Sequence, residues 1–392
     1  MQFIKASSTL VSPARALLGF SSRMVGQWAL IPAVALCLGA MVAPAAEALD
    51  GAHGVNVEIA RTQIVPSYER FAEAAADFQT AVQSACDSGV SDDEALRKAY
   101  PAVVDAWMRA EIWRFGPVEY LTRRTRIWYW PDKHGRSAKQ IRLFLQAATA
   151  ESLEARRFAD GSVALQGLPA FERLVFAETP AADAGHVRFR CDYLAAIANN
   201  IHAMSADIVE NWTRPDEGSL AMIETSEGGN ASYEDGAAQV TTELVKSLNT
   251  ALISIVELKL ARPMGDSLKR ARPKRGESWR AGLGLANIRA NLEALQALYG
   301  VEEGTGLSAL LGSVGEQAHA RDLDQRIRAG FRDAIARIDA IDATLADAVS
   351  DADKRSQLVI LKSMVADLVE MTGGELPGLL GVNLGFNALD GD

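Results

Sequence analysis

Apolar residues recur at helical spacing along almost the whole chain after about residue 50. Between about residues 55 and 86, for example, Ile64, Phe71 and Phe78 are two helical turns apart and fall on one face. Further stretches with this periodicity or with a helix-start signal lie at about 91–113, 137–148, 169 onward, 181–212, 237–260, 285–299, 314–349 and 354–371. Almost no segment shows the period-two alternation of a half-buried strand. The pattern therefore predicts an all-α protein.

A polar, turn-rich segment divides these predicted helices into two groups of about four. It runs from about residue 211 to 236 and contains Arg214-Pro215-Asp216-Glu217-Gly218 and Gly228-Gly229-Asn230, which favour turns. The similar lengths of the two halves suggest two helical bundles related by an internal duplication, although the sequence similarity between them is weak. The predicted segments are an N-terminal bundle over residues 49–215, a linker over 216–236 and a C-terminal bundle over 237–392.

The first 48 residues have the composition of a secretory signal peptide. Three basic residues precede an apolar run from about Trp28 to Ala45, and Ala46-Glu47-Ala48 provides an A-x-A cleavage site. Because the run is short for a membrane span, we predict cleavage and no stable membrane span afterwards, with an uncleaved anchor as the alternative. The mature chain is then expected in the periplasm or on the cell envelope.

Acidic residues dominate the predicted mature chain. The full sequence has a formal charge of −10, and residues 1–48 contain three basic residues and one carboxylate, so their removal leaves −12. A charge of this sign argues against nucleic acid as a partner.

Two cysteines remain in the mature chain, Cys86 and Cys191. Both fall in predicted helices of the N-terminal half, and an even number of cysteines in an oxidising compartment favours a disulfide. We therefore predict a Cys86–Cys191 bond, with two buried thiols as the alternative.

The sequence contains no familiar motif for hydrolytic catalysis. None of its five histidines has a second histidine three or four residues away, and neither G-x-S-x-G nor H-E-x-x-H occurs. Without a recognisable nucleophile or general base, the sequence argues against an ordinary hydrolase.

The segment from Gln166 to Glu172 combines a helix start with a carboxylate that core packing does not require. Pro169 suits the first turn of a helix, Gly167 frees the backbone before it, and Glu172 lies on the same helical face as Pro169. On their own these residues are explained by an ordinary helix start. Further motifs accompany them: Arg109-Ala110-Glu111, Phe115-Gly116-Pro117, Tyr129-Trp130-Pro131-Asp132, Ser278-Trp279-Arg280 and the C-terminal residues 385–392.

In this order, the motifs resemble the imelysin-like family of bacterial envelope proteins. That family is marked by a G-x-H-x-x-E signature, which falls here on Gly167, Pro169 and Glu172, and the resemblance extends from about Pro66 to Asp392. It implies an all-helical fold of two bundles packed around a shared cleft, with the signature close to that cleft. It also implies a role linked to iron acquisition or its regulation.

Proline replaces the signature histidine in this chain. Because the side chain of Pro169 has no donor atom for a metal, we expect a binding protein rather than an enzyme. The alternatives are a metal-dependent peptidase and an envelope scaffold that docks a partner protein through the cleft. The expected partner is an unidentified small ligand or envelope protein, and the cofactor is unknown beyond a candidate metal cation.

The resemblance also selects the candidate site. The predicted binding residues are Arg109, Glu111, Trp130, Asp132, Gly167, Glu172, Ser278, Arg280, Asp390 and Asp392. Among them Glu172 is the candidate metal ligand, since carboxylates suit hard cations better than zinc. The same carboxylates and arginines could instead bind an anion, or form a buried ion-pair network that locks the bundles together. The basic loop at residues 269–275 is interpreted as a solvated connection that returns a few arginines to the cleft.

Overall fold

Helices account for all the regular structure in the described part of this protein, as the sequence predicts. The computed structural model describes residues 51–87, 90–132, 134–147, 149–177 and 184–385. Within these ranges no strand occurs, and the all-α prediction is confirmed. The predicted signal peptide and the candidate site residues Asp390 and Asp392 lie outside them.

The α-helices follow the apolar periodicity of the sequence. They span Ala52–Ile59 (α1), Val65–Cys86 (α2), Asp93–Ala110 (α3), Arg123–Ile127 (α4), Arg136–Ala147 (α5), Ala155–Ala159 (α6), Gly167–Phe176 (α7), Ala184–Thr213 (α8), Ser219–Glu224 (α9), Ala237–Ile253 (α10), Arg262–Met264 (α11), Gly284–Tyr299 (α12), Gln317–Asp339 (α13), Leu345–Ala348 (α14), Ala352–Glu370 (α15) and Leu376–Leu380 (α16). π-Helical segments at Ala60–Ile64, Ser254–Ala261 and Met371–Glu375 continue α1 into α2, α10 into α11 and α15 into α16. Short 3-10 segments lie at Gly116–Thr122, Ala150–Leu153, Val163–Leu165, Leu268–Arg270, Pro273–Arg275 and Gly306–Ser313. None of the helices in the described ranges is both long and apolar enough to cross a bilayer.

Helices from the two predicted bundles contact one another directly. In the N-terminal half α2 packs against α3 and α8, and in the C-terminal half α13 packs against α15. Helix α12 contacts both α3 and α13, so it connects the halves. All the described residues fall within one compact unit. The boundary at residues 216–236 and the internal duplication therefore stay predictions.

Buried aromatic side chains fix the signature helix α7 to the core. Phe171 is fully buried, and its ring lies 4.7 Å from that of Phe78 in α2 and 5.7 Å from that of Tyr100 in α3. Burial of a side chain of this size stabilises the fold by about 1.5–3 kcal/mol. Because Glu172 follows Phe171 directly, this packing also determines where the signature carboxylate lies.

A disulfide ties two of the packed helices together. It joins Cys86 at the end of α2 to Cys191 in α8, with the two Cα atoms 5.6 Å apart. The bond closes a sequence separation of 105 residues.

Candidate functional site

A cleft of about 550 Å³ opens beside the signature helix. Four parts of the chain form it: the segment that leads into and begins α5, the first two turns of α7, the start of α11, and the loop between α11 and α12. The lining residues are Tyr129, Trp130, Pro131, Asp132, His134, Gly135, Ser137, Pro169, Glu172, Arg173, Arg262, Lys274, Arg275, Gly276, Ser278, Trp279 and Arg280. Five of the predicted binding residues therefore line the cleft: Trp130, Asp132, Glu172, Ser278 and Arg280.

The signature glycine allows α7 to approach the end of α4. Gly167 has a φ of +75°, and a Cβ atom on it would overlap the carbonyl oxygens of Arg126 and Ile127. Any other residue would be strained in the backbone and would also push α7 away from the end of α4. Gly167 thus positions the cleft without lining it.

Glu172 clamps one wall of the cleft to another. Its Oε1 atom accepts hydrogen bonds from the backbone N–H groups of Arg280, at 2.8 Å, and Ala281, at 3.0 Å. The side chain is buried, and burial raises the pKa of Glu172 above its ordinary value, although the two N–H groups and the charge of Arg280 act in the opposite direction. The signature carboxylate therefore holds the turn that carries Arg280.

Ser278 begins this turn in a strained backbone conformation. Its φ is +44°, in the left-handed region that residues with a side chain rarely adopt. The Ser278 Oγ atom accepts a hydrogen bond from Asn287 Nδ2 at 3.0 Å, and its carbonyl oxygen accepts one from the N–H of Leu283 at 3.2 Å. These contacts, with the Glu172 clamp, fix the turn from both ends.

Asp132 has a structural partner as well. Its two carboxylate oxygens accept hydrogen bonds of 2.9 Å from the backbone N–H groups of Arg136 and Ser137, at the start of α5. Burial acts to raise the pKa of Asp132, but the N–H groups of Ser137 and Arg136 outweigh it, so the pKa lies below its ordinary value. Asp132 is thus ionised at neutral pH and caps α5.

Five cationic side chains face the same cleft. They are Arg173, Arg262, Lys274, Arg275 and Arg280. Within the part of the chain that the structure describes, none of them forms an ion pair. The Arg280 guanidinium lies 4.3 Å from the centre of the Trp279 ring and the Lys274 ammonium 5.5 Å from it, so this indole carries two cations.

Burial, neighbouring cations and the two cleft carboxylates all act on the pKa values of these arginines. Asp132 raises those of Arg173 and Arg262, and Glu172 raises those of Arg173 and Arg280, but burial outweighs both carboxylates. Burial lowers the pKa of Arg280, and the neighbouring Arg173 lowers it further. Burial and then Arg275 do the same for Arg262, while burial lowers the pKa of Arg173. Their side chains remain cationic at neutral pH, since the ordinary pKa of arginine lies far above neutrality. The cleft consequently has a positive potential, unlike the chain as a whole.

Sequence comparison assigns the chain to a family. Residues 64–371 match the sequence profile of the family described as imelysin. The chain belongs to the imelysin family. This finding confirms the resemblance seen in the spaced motifs.

Two solved structures share the fold of this imelysin chain. An imelysin-like protein from Psychrobacter arcticum 273-4 is 23% identical, with a TM-score of 0.64 over 86% of this chain and 98% of its own. A putative iron-regulated protein A precursor from Parabacteroides distasonis ATCC 8503 is 16% identical, with a TM-score of 0.68 over 84% of this chain and 95% of its own. No protein of curated function matches the chain. At these identities the structural likeness establishes the fold alone.

The donor atoms of the imelysin signature do not fit a transition metal in this chain. Pro169 stands at the histidine position and supplies no donor, while Asp132 and Glu172 already accept backbone hydrogen bonds. His134 is the one imidazole among the described lining residues. No group of three or more His, Cys, Asp or Glu side chains in the described residues could hold a metal ion.

Glu111 belongs to a buried ion cluster behind the cleft. Lys259 donates hydrogen bonds to Glu111 Oε1 at 2.7 Å, to Glu277 Oε2 at 2.9 Å and to Asn291 Oδ1 at 2.6 Å. Trp128 Nε1 donates to the other Glu277 oxygen at 3.0 Å. Burial raises the pKa of Glu277, whereas the Lys259 ammonium outweighs the effect of burial on Glu111 and holds the pKa of that carboxyl below its ordinary value. We call Glu111, Lys259 and Glu277 the Lys259 cluster.

The Lys259 cluster and the cleft share a wall. A smaller cavity of about 270 Å³ reaches the cluster, and Tyr129, Trp130 and Pro131 line both cavities. The Trp130–Pro131 peptide bond in this wall is cis. The predicted site residue Trp130 is thus part of the wall between the two cavities, and Glu111 lies in the smaller cavity behind it.

Arg109 lies away from the cleft. Its guanidinium pairs with Asp105 at 2.8 Å and with Glu293 of α12 at 2.7 Å, on a half-exposed surface. The structure therefore separates Arg109 from the other predicted residues, and gives it a place in the contact between α3 and α12.

The sequence motifs did not select several residues that line the cleft. Arg173 had an available signal, because it lies four residues after Pro169 and so shares its helical face. Lys274 and Arg275 belong to the basic loop that was expected to bring arginines to the cleft. Arg262 had no local signal, since tertiary packing alone brings the start of α11 to this wall.

Proposed function

We propose that this imelysin-family chain is an exported binding protein of the periplasm or cell envelope, linked to iron acquisition or its regulation. The ligand would occupy the cleft, and the protein would not act as a metal-dependent peptidase. The proposal rests on what the signature residues do in this structure. Glu172 holds backbone N–H groups, Pro169 replaces the donor histidine, and unpaired cations face the open space.

Other observations support the location and the link to iron. Residues 1–48 have the composition of a signal peptide, and one structural neighbour is described as a precursor of a putative iron-regulated protein A. Family membership points the same way, since the imelysin resemblance implies an envelope protein connected with iron.

The proposal is tested first by assaying the purified chain without residues 1–48. We expect no hydrolysis of casein, with or without added divalent metal. Peptide hydrolysis that a chelator abolishes would overturn the proposal. Mass spectrometry of the protein from the envelope fraction should find an N-terminus between about residues 46 and 50.

A second test measures cellular iron. A strain that lacks the gene should accumulate less iron in iron-poor medium, and the wild-type gene should restore the content. Ser137→Trp places an indole in the cleft without a change of charge, and this variant should fail to restore it. Ser356→Trp, on the exposed side of α15, is the matched control and should restore it fully. Equal restoration by both variants would contradict a role for the cleft.

A further inference from the structure

We propose that the cleft takes a small organic polyanion with two or more carboxylate or phosphate groups, and that iron reaches it as an anionic chelate. This inference rests on the proposed function, because it names the ligand class for the same cleft. It differs from the prediction made from the sequence, in which Glu172 binds a metal cation.

Positively charged side chains outnumber carboxylates in the described lining of the cleft. The described lining contains five cationic side chains and two carboxylates, an excess of three positive charges. Both carboxylates are engaged with backbone N–H groups, Asp132 at the start of α5 and Glu172 at the Arg280 turn. Neither lies within ion-pair distance of a cation among the described residues. The excess therefore remains available to a ligand.

Placing several arginines in one cleft costs free energy, because their like charges repel. Arg173, Arg262 and Arg280 are half-buried, so water screens their repulsion less than it would on an open surface. A protein that gains nothing from such an arrangement would be more stable with neutral residues there. An oxyanion that accepts hydrogen bonds from two guanidinium groups would remove the repulsion and form charge-assisted bonds.

The volume of the cleft and its aromatic lining favour an organic ligand. At about 550 Å³ the cleft has the volume of a typical small-molecule site, and is much larger than one inorganic phosphate or sulfate ion. Tyr129, Trp130 and Trp279 supply aromatic surface beside the charged groups. An organic molecule that carries several anionic groups would contact both kinds of surface, whereas a single ion would contact few of the cations.

These arguments exclude a bare iron cation as the ligand. The excess positive charge repels it, and the described residues offer no set of three metal donors. A polycarboxylate that has bound ferric iron through some of its groups can retain a net negative charge. Iron in that form would suit the cleft through the carboxylates of its chelator.

Calorimetric titration of the mature protein tests the inference with four probes: citrate, ferric citrate, inorganic phosphate and, under nitrogen, ferrous iron alone. We expect citrate and ferric citrate to bind, phosphate to bind at least about tenfold more weakly, and ferrous iron not to bind. Arg173→Gln and Arg280→Gln should each weaken citrate binding by about tenfold or more, since each removes a charged hydrogen-bond donor. Binding of citrate should also quench tryptophan fluorescence, because two indoles line the cleft.

Arg321→Gln is the matched control, since Arg321 is exposed on α13 and outside the cleft. It lowers the net charge by the same amount and should leave citrate affinity unchanged. Thermal melting of each variant shows whether it remains folded. The inference is overturned if citrate does not bind, if ferrous iron binds in its place, or if the two cleft variants and the control weaken citrate equally.

The proposed function and this inference fail in different ways. If citrate does not bind while the strain without the gene still accumulates less iron and the protein hydrolyses no peptide, the ligand class is wrong and the binding function stands. Chelator-sensitive hydrolysis would instead remove the binding function, whatever the result with citrate.

Discussion

The cleft and the Lys259 cluster lie on two sides of the wall formed by Tyr129, Trp130 and Pro131, and they differ in how their charges are paired. In the cluster, Lys259 contacts Glu111 at 2.7 Å and Glu277 at 2.9 Å, and all three side chains are largely buried. In the cleft, five cations have no ion-pair partner among the described residues. Lysine and glutamate occur in both regions, so these residue types do not separate them. The pairing of each charge does.

The presence or absence of an ion-pair partner distinguishes structural charges from binding charges in this protein. The cluster joins the end of α3, the π-helical segment after α10 and the loop before α12, so its ion pairs hold the two halves together. The cleft cations form no ion pair within the described chain. We expect substitutions in the cluster to change the stability of the fold, and substitutions of the cleft cations to change ligand affinity.

Removal of the central ammonium should have the largest effect. Lys259→Met leaves Glu111 and Glu277 buried without their cation, and we expect the free energy of unfolding to fall by about 3–5 kcal/mol. Urea denaturation followed by circular dichroism measures this change. Lys362→Met, on α15, is a control that removes a half-buried lysine with no ion pair in the described residues, and should cost less than about 1 kcal/mol. Similar losses for the two variants would remove the distinction between the regions.

The Glu172 clamp should give the next largest effect. Glu172→Ala removes the acceptor for two partly buried N–H groups, and we expect a loss of about 3 kcal/mol in unfolding free energy. The same variant should bind citrate more weakly, because the turn that carries Arg280 is released. Glu172→Gln keeps an oxygen acceptor and should remain close to wild type in stability. If Glu172 were instead a metal ligand, Glu172→Ala would leave the apo protein stable and abolish metal binding.

The pH dependence of stability should distinguish wild type from Glu172→Gln. Burial raises the pKa of Glu172 in the folded state above the unfolded value of 4.5. The stability linked to its protonation is therefore present below the unfolded pKa and lost as the pH rises through the folded pKa. Glu172→Gln lacks this loss, so its unfolding free energy should increase relative to wild type between about pH 4 and pH 7. A constant difference across this range would show that burial does not perturb the carboxyl.

Neutralising a cleft arginine should have the smallest effect on stability. Because Arg173 and Arg280 repel each other and form no ion pair in the described chain, Arg173→Gln or Arg280→Gln should change the unfolding free energy by less than about 0.5 kcal/mol, or raise it slightly. Urea denaturation at low ionic strength gives the clearest measurement, since salt screens the repulsion. A loss comparable to that of Lys259→Met would place these arginines in the structural framework.

The parts of this account that the sequence could predict depend on local pattern. The apolar spacing of Ile64, Phe71 and Phe78 indicated a helix, and these side chains are buried in α2 or the π-helical segment before it. The signature residues likewise indicated the start of α7, where Gly167 and Pro169 lie.

The pairing of charges could not be predicted, because it arises from tertiary packing. Lys259 and Glu277 are far apart in sequence and neither belongs to a helical i, i+4 pair with its partner. Arg109 and Glu111 are two residues apart, yet one pairs on a half-exposed surface and the other enters the buried cluster. Nothing in the local sequence of Arg262 indicates that it reaches the cleft.

A crystal structure of the mature protein grown with citrate tests most directly whether the cleft binds a polyanion. We expect citrate in the cleft, with carboxylate oxygens about 3 Å from the guanidinium groups of Arg173 and Arg280, and with Glu172 still hydrogen-bonded to the backbone of the Arg280 turn. The Lys259 cluster should keep its contacts. A cleft without citrate, or a metal ion coordinated by Glu172, would contradict the account.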